Sequence, residues 1–234
     1  MQNKGKTLIY LQDPGGTNFI KQDLKELIRR FDTIVVCHKL SSSILKSINI
    51  KPEHEISSVV DQEFWLQFFK KNNINKIICT LSSKYVDLSN CNLIKAAKKA
   101  NKYSLSFFDH WKGYDRLFEG DSLEYITDEI CVIDEFVEQK FINFGFSKTK
   151  LHKVGHPHLL SRLKNNNAET FNKENIKLCI LSQPDTFSKS FESVFLTKNN
   201  QFIKSLQNTI ERKKLNIDLY IRRHPKEIYL DSEI

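Results

Sequence analysis

The stretch Tyr103-Ser-Leu-Ser-Phe-Phe-Asp-His-Trp111 is a short apolar run that ends abruptly in an acid, an imidazole and an indole. It follows a helix-like run, Leu93–Ala100, and this order is typical of a buried parallel strand entered from a helix. In open α/β sheets, ligands bind beyond the carboxyl ends of the strands. We therefore expect Asp109, His110 and Trp111 to project into a cleft, although Asp109 could equally cap the next turn and Trp111 could pack beneath it.

Strand-like and helix-like segments alternate along the chain on both sides of this stretch. The strand-like segments are short apolar runs, and the segments between them carry apolar residues at helical spacing. The predicted strands are Lys6–Gln12, Thr33–Cys37, Glu55–Val60, Lys76–Thr80, Tyr103–Phe108, Glu129–Ile133 and Leu151–Val154. This alternation predicts an α/β protein in which residues 1–163 form one complete Rossmann-like domain.

A polar stretch separates this domain from a second, shorter α/β pattern. Residues 164–175 are poor in apolar side chains and show no periodicity, which predicts a linker. The pattern restarts with a strand at Ile176–Leu181, a helix through Ile210 and a strand at Ile217–Ile221. We expect residues 176–234 to form an incomplete Rossmann-like domain that a neighbouring reading frame or a partner chain completes.

The overall composition is that of a folded protein with an apolar core. Of the 234 residues, 40% are hydrophobic and 11% are aromatic, which argues against disorder. No window approaches the roughly 18 consecutive apolar residues of a membrane span, and the N-terminus lacks a signal-peptide core, so we expect a cytoplasmic protein. The five cysteines show no CxxC spacing, which predicts buried thiols rather than a zinc site or disulfides.

The chain carries a formal net charge of +8, mostly from lysines scattered over the predicted helices. A nucleic-acid-binding protein would concentrate such charge and use more arginine, whose planar fork binds phosphate at two points. We therefore expect no nucleic-acid partner and interpret the lysines as a solvated surface. A peripheral association with an anionic membrane surface stays open.

Small and polar residues also follow two other predicted strands. Gly15 and Gly16 come directly after the first strand and permit close backbone approach, while Ser82 and Ser83 follow the fourth strand. Because the carboxyl ends of parallel strands meet at one edge of a sheet, we expect these four residues to line a substrate cleft together with Trp111. The glycine pair taken alone could equally be a tight turn.

Five short motifs resemble, in their order, a family of glycosyltransferases. They are DPGG (13–16), FDHW (108–111), VGHP (154–157), SQP (182–184) and RRHPKE (222–227). The order resembles GT-B-fold glycosyltransferases of bacterial surface-polysaccharide assembly, of the polysialyltransferase-like and teichoic-acid glycerophosphotransferase-like kinds. The resemblance implies transfer of a sugar or polyol phosphate from a nucleotide-activated donor to a glycan or lipid-linked acceptor.

The resemblance also implies a division of roles between the two domains. Glycosyl transfer needs a general base for the acceptor hydroxyl and positive charge for the leaving phosphate. The acceptor side is the N-terminal domain of such enzymes, so Asp13, Asp109 and His110 are the candidate catalytic residues. The pair His156-Pro157 suits the hinge between the domains.

The donor phosphate is expected to bind at the second domain. The family's His-Pro pair, which contacts the donor phosphate, maps onto His224 and Pro225, and Ser182, Arg222 and Arg223 would lie beside it. Charged donors at a strand's carboxyl end suit phosphate, although the cluster could also be a basic surface that closes a strand. The sequence has no DxD-type run at a strand end, so we expect neither a catalytic metal nor another cofactor.

Two other functions remain open at this point. Sugar-nucleotide 2-epimerases are similar in architecture and would need acid/base carboxylates in both halves. A non-catalytic binding or assembly module would need only the intact N-terminal domain. Because the second domain is short, we expect the chain to be inactive or incomplete as a transferase by itself.

Overall fold

The structure, a computed structural model, describes residues 5–85, 87–165, 176–181 and 192–222, with only the backbone given for 162–165 and 192–201. The chain forms two compact units, Met1–Asn167 and Ala168–Ile234. Each unit is described by itself below.

The first unit is built on a seven-stranded parallel sheet with the strand order β3-β2-β1-β4-β5-β6-β7. The strands are β1 (Lys6–Leu11), β2 (Thr33–His38), β3 (His54–Ile56), β4 (Ile74–Thr80), β5 (Tyr103–Phe107), β6 (Glu129–Val132) and β7 (Leu151–Lys153). The chain runs from β1 outward to β3 and then returns to the other side of β1 with β4. The strand order therefore reverses between β1 and β4, which is where open α/β sheets form a ligand crevice.

Seven helices connect these strands or follow them. They are α1 (Pro14–Ile20), α2 (Leu24–Arg30), α3 (Lys39–Ser47), α4 (Gln62–Asn72), α5 (Ser89–Lys99), α6 (Glu135–Asn143) and α7 (Pro157–Asn165), with short 3-10 turns at Tyr114–Leu117 and Lys148–Lys150. Helix α7 includes the first two residues of the segment 164–175 that was predicted as a linker. The rest of that segment lies outside the described residues.

The first helix begins earlier than its sequence pattern predicts. The apolar residues at helical spacing from Phe19 to Ile28 predict one helix capped by Thr17 or Asn18, but Asp13 is the N-cap, and its carboxylate accepts a hydrogen bond from Gly16 N at 2.8 Å. Pro14 has no N–H to satisfy and suits the first helical position, so the helix starts there. The expected single helix from Phe19 through Ile28 is instead two helices, α1 and α2.

The core lies on both faces of β1 and β4, whose central residues are fully buried. Helix α4 contributes Trp65, which is 0% exposed and packs edge-on against Tyr10 at a centroid distance of 5.0 Å. The sequence predicts a buried aromatic stripe on this helix at Phe64, Trp65, Phe68 and Phe69. Trp65, Phe68 and Phe69 are buried, but the prediction was wrong for Phe64, which is 40% exposed.

The second unit contains, in its described part, a strand, a long helix and a second strand. Strand β8 (Ile176–Leu181) pairs in parallel with β9 (Ile217–Arg222), and helix α8 (Glu192–Arg212) connects them. This is the strand–helix–strand order predicted from the sequence, and it is the crossover unit of a parallel sheet. None of the helices in the described ranges combines the length and the apolar composition that a bilayer-spanning segment requires.

Candidate functional site

The carboxyl ends of β1, β4 and β5 meet at the edge of the sheet where the strand order reverses. These ends carry Asp13 after β1, Ser82 after β4 and Asp109 after β5. These residues were predicted to lie at one edge of the sheet. The strands that precede them are neighbours in the sheet, so their carboxyl ends lie side by side. The geometry at each strand end decides what they can do.

Asp109 forms a largely buried ion pair with Arg116. Their side chains are 13% and 15% exposed, and Arg116 Nη1 donates to Asp109 Oδ1 at 3.2 Å. The same nitrogen donates to the Leu81 carbonyl at 2.5 Å, so the guanidinium connects the end of β5 to the end of β4. The central carbon of the guanidinium, Cζ, also lies 5.1 Å from the centroid of the Phe108 ring. Arg116 was not among the predicted site residues.

The turn that returns Arg116 to Asp109 depends on a glycine. Gly113 has φ +80°, a left-handed conformation that other residues rarely adopt, and its carbonyl accepts from Arg116 Nε at 2.9 Å. A Cβ at this position would lie 2.8 Å from Arg116 Nη2. The absence of a side chain at Gly113 therefore lets the guanidinium fold back onto its own turn.

Asp13 and Asp109 face one point on the surface of helix α1. A Cβ added to Gly15 would lie 3.3 Å from Asp13 Oδ1 and 3.3 Å from Asp109 Oδ2. Gly15 itself is exposed, so this point is open to solvent. Asp13 Oδ1 also accepts the capping bond from Gly16 N, so Asp109 Oδ2 is the oxygen at this point that is better placed to exchange a proton with a bound molecule.

Burial raises the pKa of Asp109 above the usual range of an aspartate. The Arg116 guanidinium opposes this shift, and the nearby negative charge of Asp13 adds to it. The net effect is that the Asp109 carboxyl retains its proton to a higher pH than a solvated aspartate does. A carboxyl of this kind is suited to act as a general acid or base.

Gly16 allows helix α1 to rest directly on strand β4. A Cβ at Gly16 would lie only 2.5 Å from Thr80 Cβ and 2.6 Å from Thr80 Oγ1, so no side chain fits. Within the described ranges, the buried hydroxyls of Thr80 and Ser82 have no hydrogen-bond partner. Thr80 is 0% exposed beneath Gly16, so no ligand reaches its hydroxyl, whereas Ser82 is 3% exposed and follows the strand end. Ser83, the other predicted cleft serine, follows and is partly exposed.

Trp111 packs against His156, which was predicted to lie at the hinge between the domains. Its indole Nε1 donates to Asp134 Oδ2 at 2.6 Å, and its ring stacks on His156 at a centroid distance of 6.0 Å. His156 also meets the Phe19 ring of helix α1 at 4.7 Å, and burial lowers its pKa. Trp111 remains 39% exposed, so one part of its ring still faces solvent.

His110 turns away from the carboxylates toward its own loop. Its Nδ1 accepts a hydrogen bond from Lys112 N at 2.9 Å, and the side chain is exposed. In the neutral ring the proton then lies on Nε2, which makes that nitrogen a donor. This geometry presents a donor to solvent, and the predicted role of His110 as a base would require the ring to reorient.

A buried polar network lies directly beneath the site. Gln12 Nε2 donates to the Asp87 carbonyl at 2.9 Å, and Gln12 Oε1 accepts from Asn90 N at 2.7 Å. Asn90 Nδ2 in turn donates to the Thr80 carbonyl at 3.0 Å, and His38 lies 3.6 Å from the Asp87 carboxylate. These bonds fix the ends of β1, β2 and β4 to the start of helix α5. The sequence shows polar residues directly after the apolar strands. Their spacing alone does not reveal which of them bond to one another.

The predicted phosphate cluster of the second unit is described only at its first residue. Arg222 ends strand β9 and is exposed. Ser182, Arg223 and His224 lie outside the described residues, so the cluster stays a prediction. Across the described ranges, no three His, Cys, Asp or Glu side chains are placed to share a metal ion.

No protein-family model matches the chain, and no curated protein matches it. Solved structures do match. The UDP-GlcNAc 2-epimerase of Methanocaldococcus jannaschii in complex with UDP-GlcNAc and UDP is 13% identical, with a TM-score of 0.64 over 96% of this chain and 67% of that one. The Neisseria meningitidis enzyme bound to UDP-GlcNAc is 9% identical, with a TM-score of 0.63 over 95% and 67% of the two chains.

A third match is the UDP-N-acetylglucosamine 2-epimerase of Rickettsia bellii, which is 14% identical with a TM-score of 0.60. That match covers 96% of this chain and 64% of the Rickettsia chain, so this chain spans about two thirds of the length of these enzymes. Identities this low show the fold alone. The chain has the α/β, GT-B-like fold of these proteins, as the sequence predicted.

The matches correct the predicted activity. Six of the matching structures are described as UDP-GlcNAc 2-epimerases, and no family or sequence match supports a glycosyltransferase. The prediction of a glycosyltransferase was therefore wrong, and the findings favour the 2-epimerase alternative. The motifs that suggested transfer to an acceptor are short, and enzymes of both kinds share this fold.

Proposed function

We propose that the chain is a sugar-nucleotide 2-epimerase-like protein that binds a nucleotide-activated sugar, with UDP-GlcNAc as the first candidate. The observation that carries the proposal is the fold likeness to UDP-GlcNAc 2-epimerases, two of them in complexes with UDP-GlcNAc. The carboxylates of Asp13 and Asp109 lie at the edge of the sheet where such a fold binds its ligand. A 2-epimerase needs no acceptor, so the glycan or lipid-linked acceptor is not part of the proposal.

Inversion at C2 of UDP-GlcNAc by acid/base chemistry breaks the C2–H bond and remakes it on the opposite face. Because C2 is not next to a carbonyl, the electron pair of that bond must expel UDP from C1, and UDP adds back to C1 as a proton returns to C2. The enzyme must therefore supply at least one group that accepts a proton and one that donates it. Asp109 retains its proton to a raised pH, which suits donation, and Asp13 directs an oxygen at the same point. The unpartnered hydroxyl of Ser82 would hydrogen-bond a polar group of the ligand.

One other expectation stays a prediction. The positive cluster Arg222–His224 would neutralise the diphosphate of the nucleotide, as arginine and histidine do when they donate to phosphate.

The proposal is tested by calorimetry and proton NMR on the full chain. We expect saturable binding of UDP-GlcNAc and UDP, and slow formation of the C2 epimer of UDP-GlcNAc. Asp109→Asn keeps the shape of the side chain and removes the titrating group, so it should lower turnover by about 10²- to 10⁴-fold. The matched control is Asp121→Asn, an exposed aspartate in the loop before β6, which should leave turnover unchanged. Equal turnover in the parent and Asp109→Asn would contradict the proposal.

A further inference from the structure

The Arg116 guanidinium is held by several contacts in a largely buried position. Its nitrogens donate to Asp109 Oδ1, to the Leu81 carbonyl and to the Gly113 carbonyl, and its charged plane covers the Phe108 ring. Arginine side chains carry several rotatable bonds, and ordering one costs conformational entropy. Four contacts on one guanidinium therefore define a single orientation for the group that meets Asp109.

The two oxygens of Asp109 face different partners. Oδ1 accepts from Arg116 Nη1 at 3.2 Å. Oδ2 lies 3.3 Å from the point where a Cβ on Gly15 would sit, on the exposed surface that Asp13 also faces. The carboxylate is thus fixed by one oxygen and presents the other.

We propose that Arg116 is a positioning residue that fixes Asp109 through Oδ1 so that Oδ2 is the reactive oxygen above Gly15. The inference rests on the proposed function only in taking Asp109 as the acid/base group. Nothing else in it depends on which nucleotide sugar binds. The alternative is that the ion pair merely ties the loop after β5 to the end of β4.

Three charged or titratable groups act on Asp109, and each acts in a known direction. Arg116 favours the carboxylate, Asp13 disfavours it, and His110 favours it when protonated. Arg116 contacts the carboxylate directly and lowers the pKa of Asp109 more than the other charged groups do. Removing its charge should raise the protonation midpoint of Asp109 further, by about 1 to 3 pH units.

The direct test is a ¹³C NMR titration of the Asp109 carboxyl carbon, assigned by its loss in Asp109→Asn. Arg116→Gln should shift the midpoint upward, while retaining an amide that can donate to the Leu81 carbonyl. The matched control is Arg29→Gln, which removes an exposed arginine from its pair with Glu26 on helix α2 and should leave the midpoint of Asp109 unchanged. An unchanged midpoint in folded Arg116→Gln would overturn the inference.

A second variant keeps the proposal testable if Arg116→Gln does not fold. Arg116→Lys retains the charge but not the planar fork. It should hold the midpoint near the parental value and lower turnover by about 10- to 100-fold, because the carboxylate is no longer fixed in one orientation. Parental turnover in Arg116→Lys would contradict a positioning role. If no variant and no parent forms an epimer, the proposed function fails, whereas an unchanged midpoint in folded Arg116→Gln would still overturn the coupling of Arg116 to Asp109.

Discussion

Gly15 is the residue on which the geometry of the candidate site depends most directly. It lies in helix α1 without a left-handed backbone, so alanine fits the helix and should improve its propensity by up to about 1 kcal/mol. The added methyl group, however, would lie 3.3 Å from an oxygen of each carboxylate, which is tighter than most real contacts. The stability of the fold and the function of the site should therefore respond in opposite directions.

We predict that Gly15→Ala unfolds at the same temperature as the parent or higher, and binds UDP-GlcNAc at least about 10-fold more weakly, a loss of about 1.4 kcal/mol. Thermal unfolding and calorimetry measure the two effects. Asn18→Ala, one turn further along the same helix and partly buried, is the control and should bind as the parent does. Parental affinity in a folded Gly15→Ala would show that ligands do not approach this point.

The sequence predicted some residues of the candidate site and missed others for a definite reason. Asp109 was predicted because it directly follows a buried parallel strand, and that position alone places it at the edge where ligands bind. Arg116 was missed because its return to Asp109 depends on the positive φ of Gly113 and on a 3-10 turn, which a seven-residue spacing does not reveal. His156 was assigned to a hinge because it precedes the predicted linker, and the sequence does not reveal its contact with Trp111, which is far from it in the chain.

Helix α4 shows how a single element combines core and surface. Trp65 is fully buried, and its Nε1 donates to the Ser89 carbonyl at 3.0 Å, so it joins the helix to the start of α5. Phe64 precedes it in sequence and is 40% exposed. A comparison of the two aromatic residues therefore shows how much burial contributes to the free energy of unfolding.

We predict that Trp65→Ala lowers the free energy of unfolding by about 3 to 5 kcal/mol, the usual cost of removing a large buried aromatic side chain. Phe64→Ala should cost about 1 kcal/mol or less, because much of that ring already contacts water. Urea denaturation followed by circular dichroism measures both values. Similar losses in the two variants would contradict the packing described for this helix.

Strands were easier to predict from the sequence than helix ends. Six of the seven strands of the first unit fall within a residue or two of their predicted limits, because strands buried on both faces of a parallel sheet are nearly continuous apolar runs. Strand β3 is the exception, since it is a three-residue edge strand with little to bury. The break between α1 and α2 was missed because apolar spacing continues across it, and only the cap at Asp13 shows where the first helix begins.

At the scale of the whole molecule, the sequence predicted the GT-B-like architecture but selected the wrong activity. The short motifs indicate which polar residues follow the strands. Enzymes that catalyse different reactions carry polar residues at these same strand ends, so the motifs do not identify the reaction. The solved structures of similar fold show that fold, and 2-epimerisation is the activity that we propose for it. The remaining donor-side residues, Ser182, Arg223 and His224, stay a prediction from sequence.

Transfer and 2-epimerisation differ in what happens to the hydrogen on C2 of the sugar. A transferase leaves that hydrogen in place, whereas inversion at C2 removes it and returns a proton that has exchanged with solvent. The difference can be followed without knowing any acceptor. It also separates 2-epimerisation from simple binding.

The full chain should therefore be incubated with UDP-GlcNAc in D₂O while proton NMR follows the H2 and anomeric signals of the sugar. We predict loss of the H2 signal as deuterium enters C2, together with a new anomeric signal from the C2 epimer, and both changes should be suppressed in Asp109→Asn. An H2 signal that persists in full while UDP-GlcNAc is bound, or release of UDP that requires an added acceptor, would contradict the assignment.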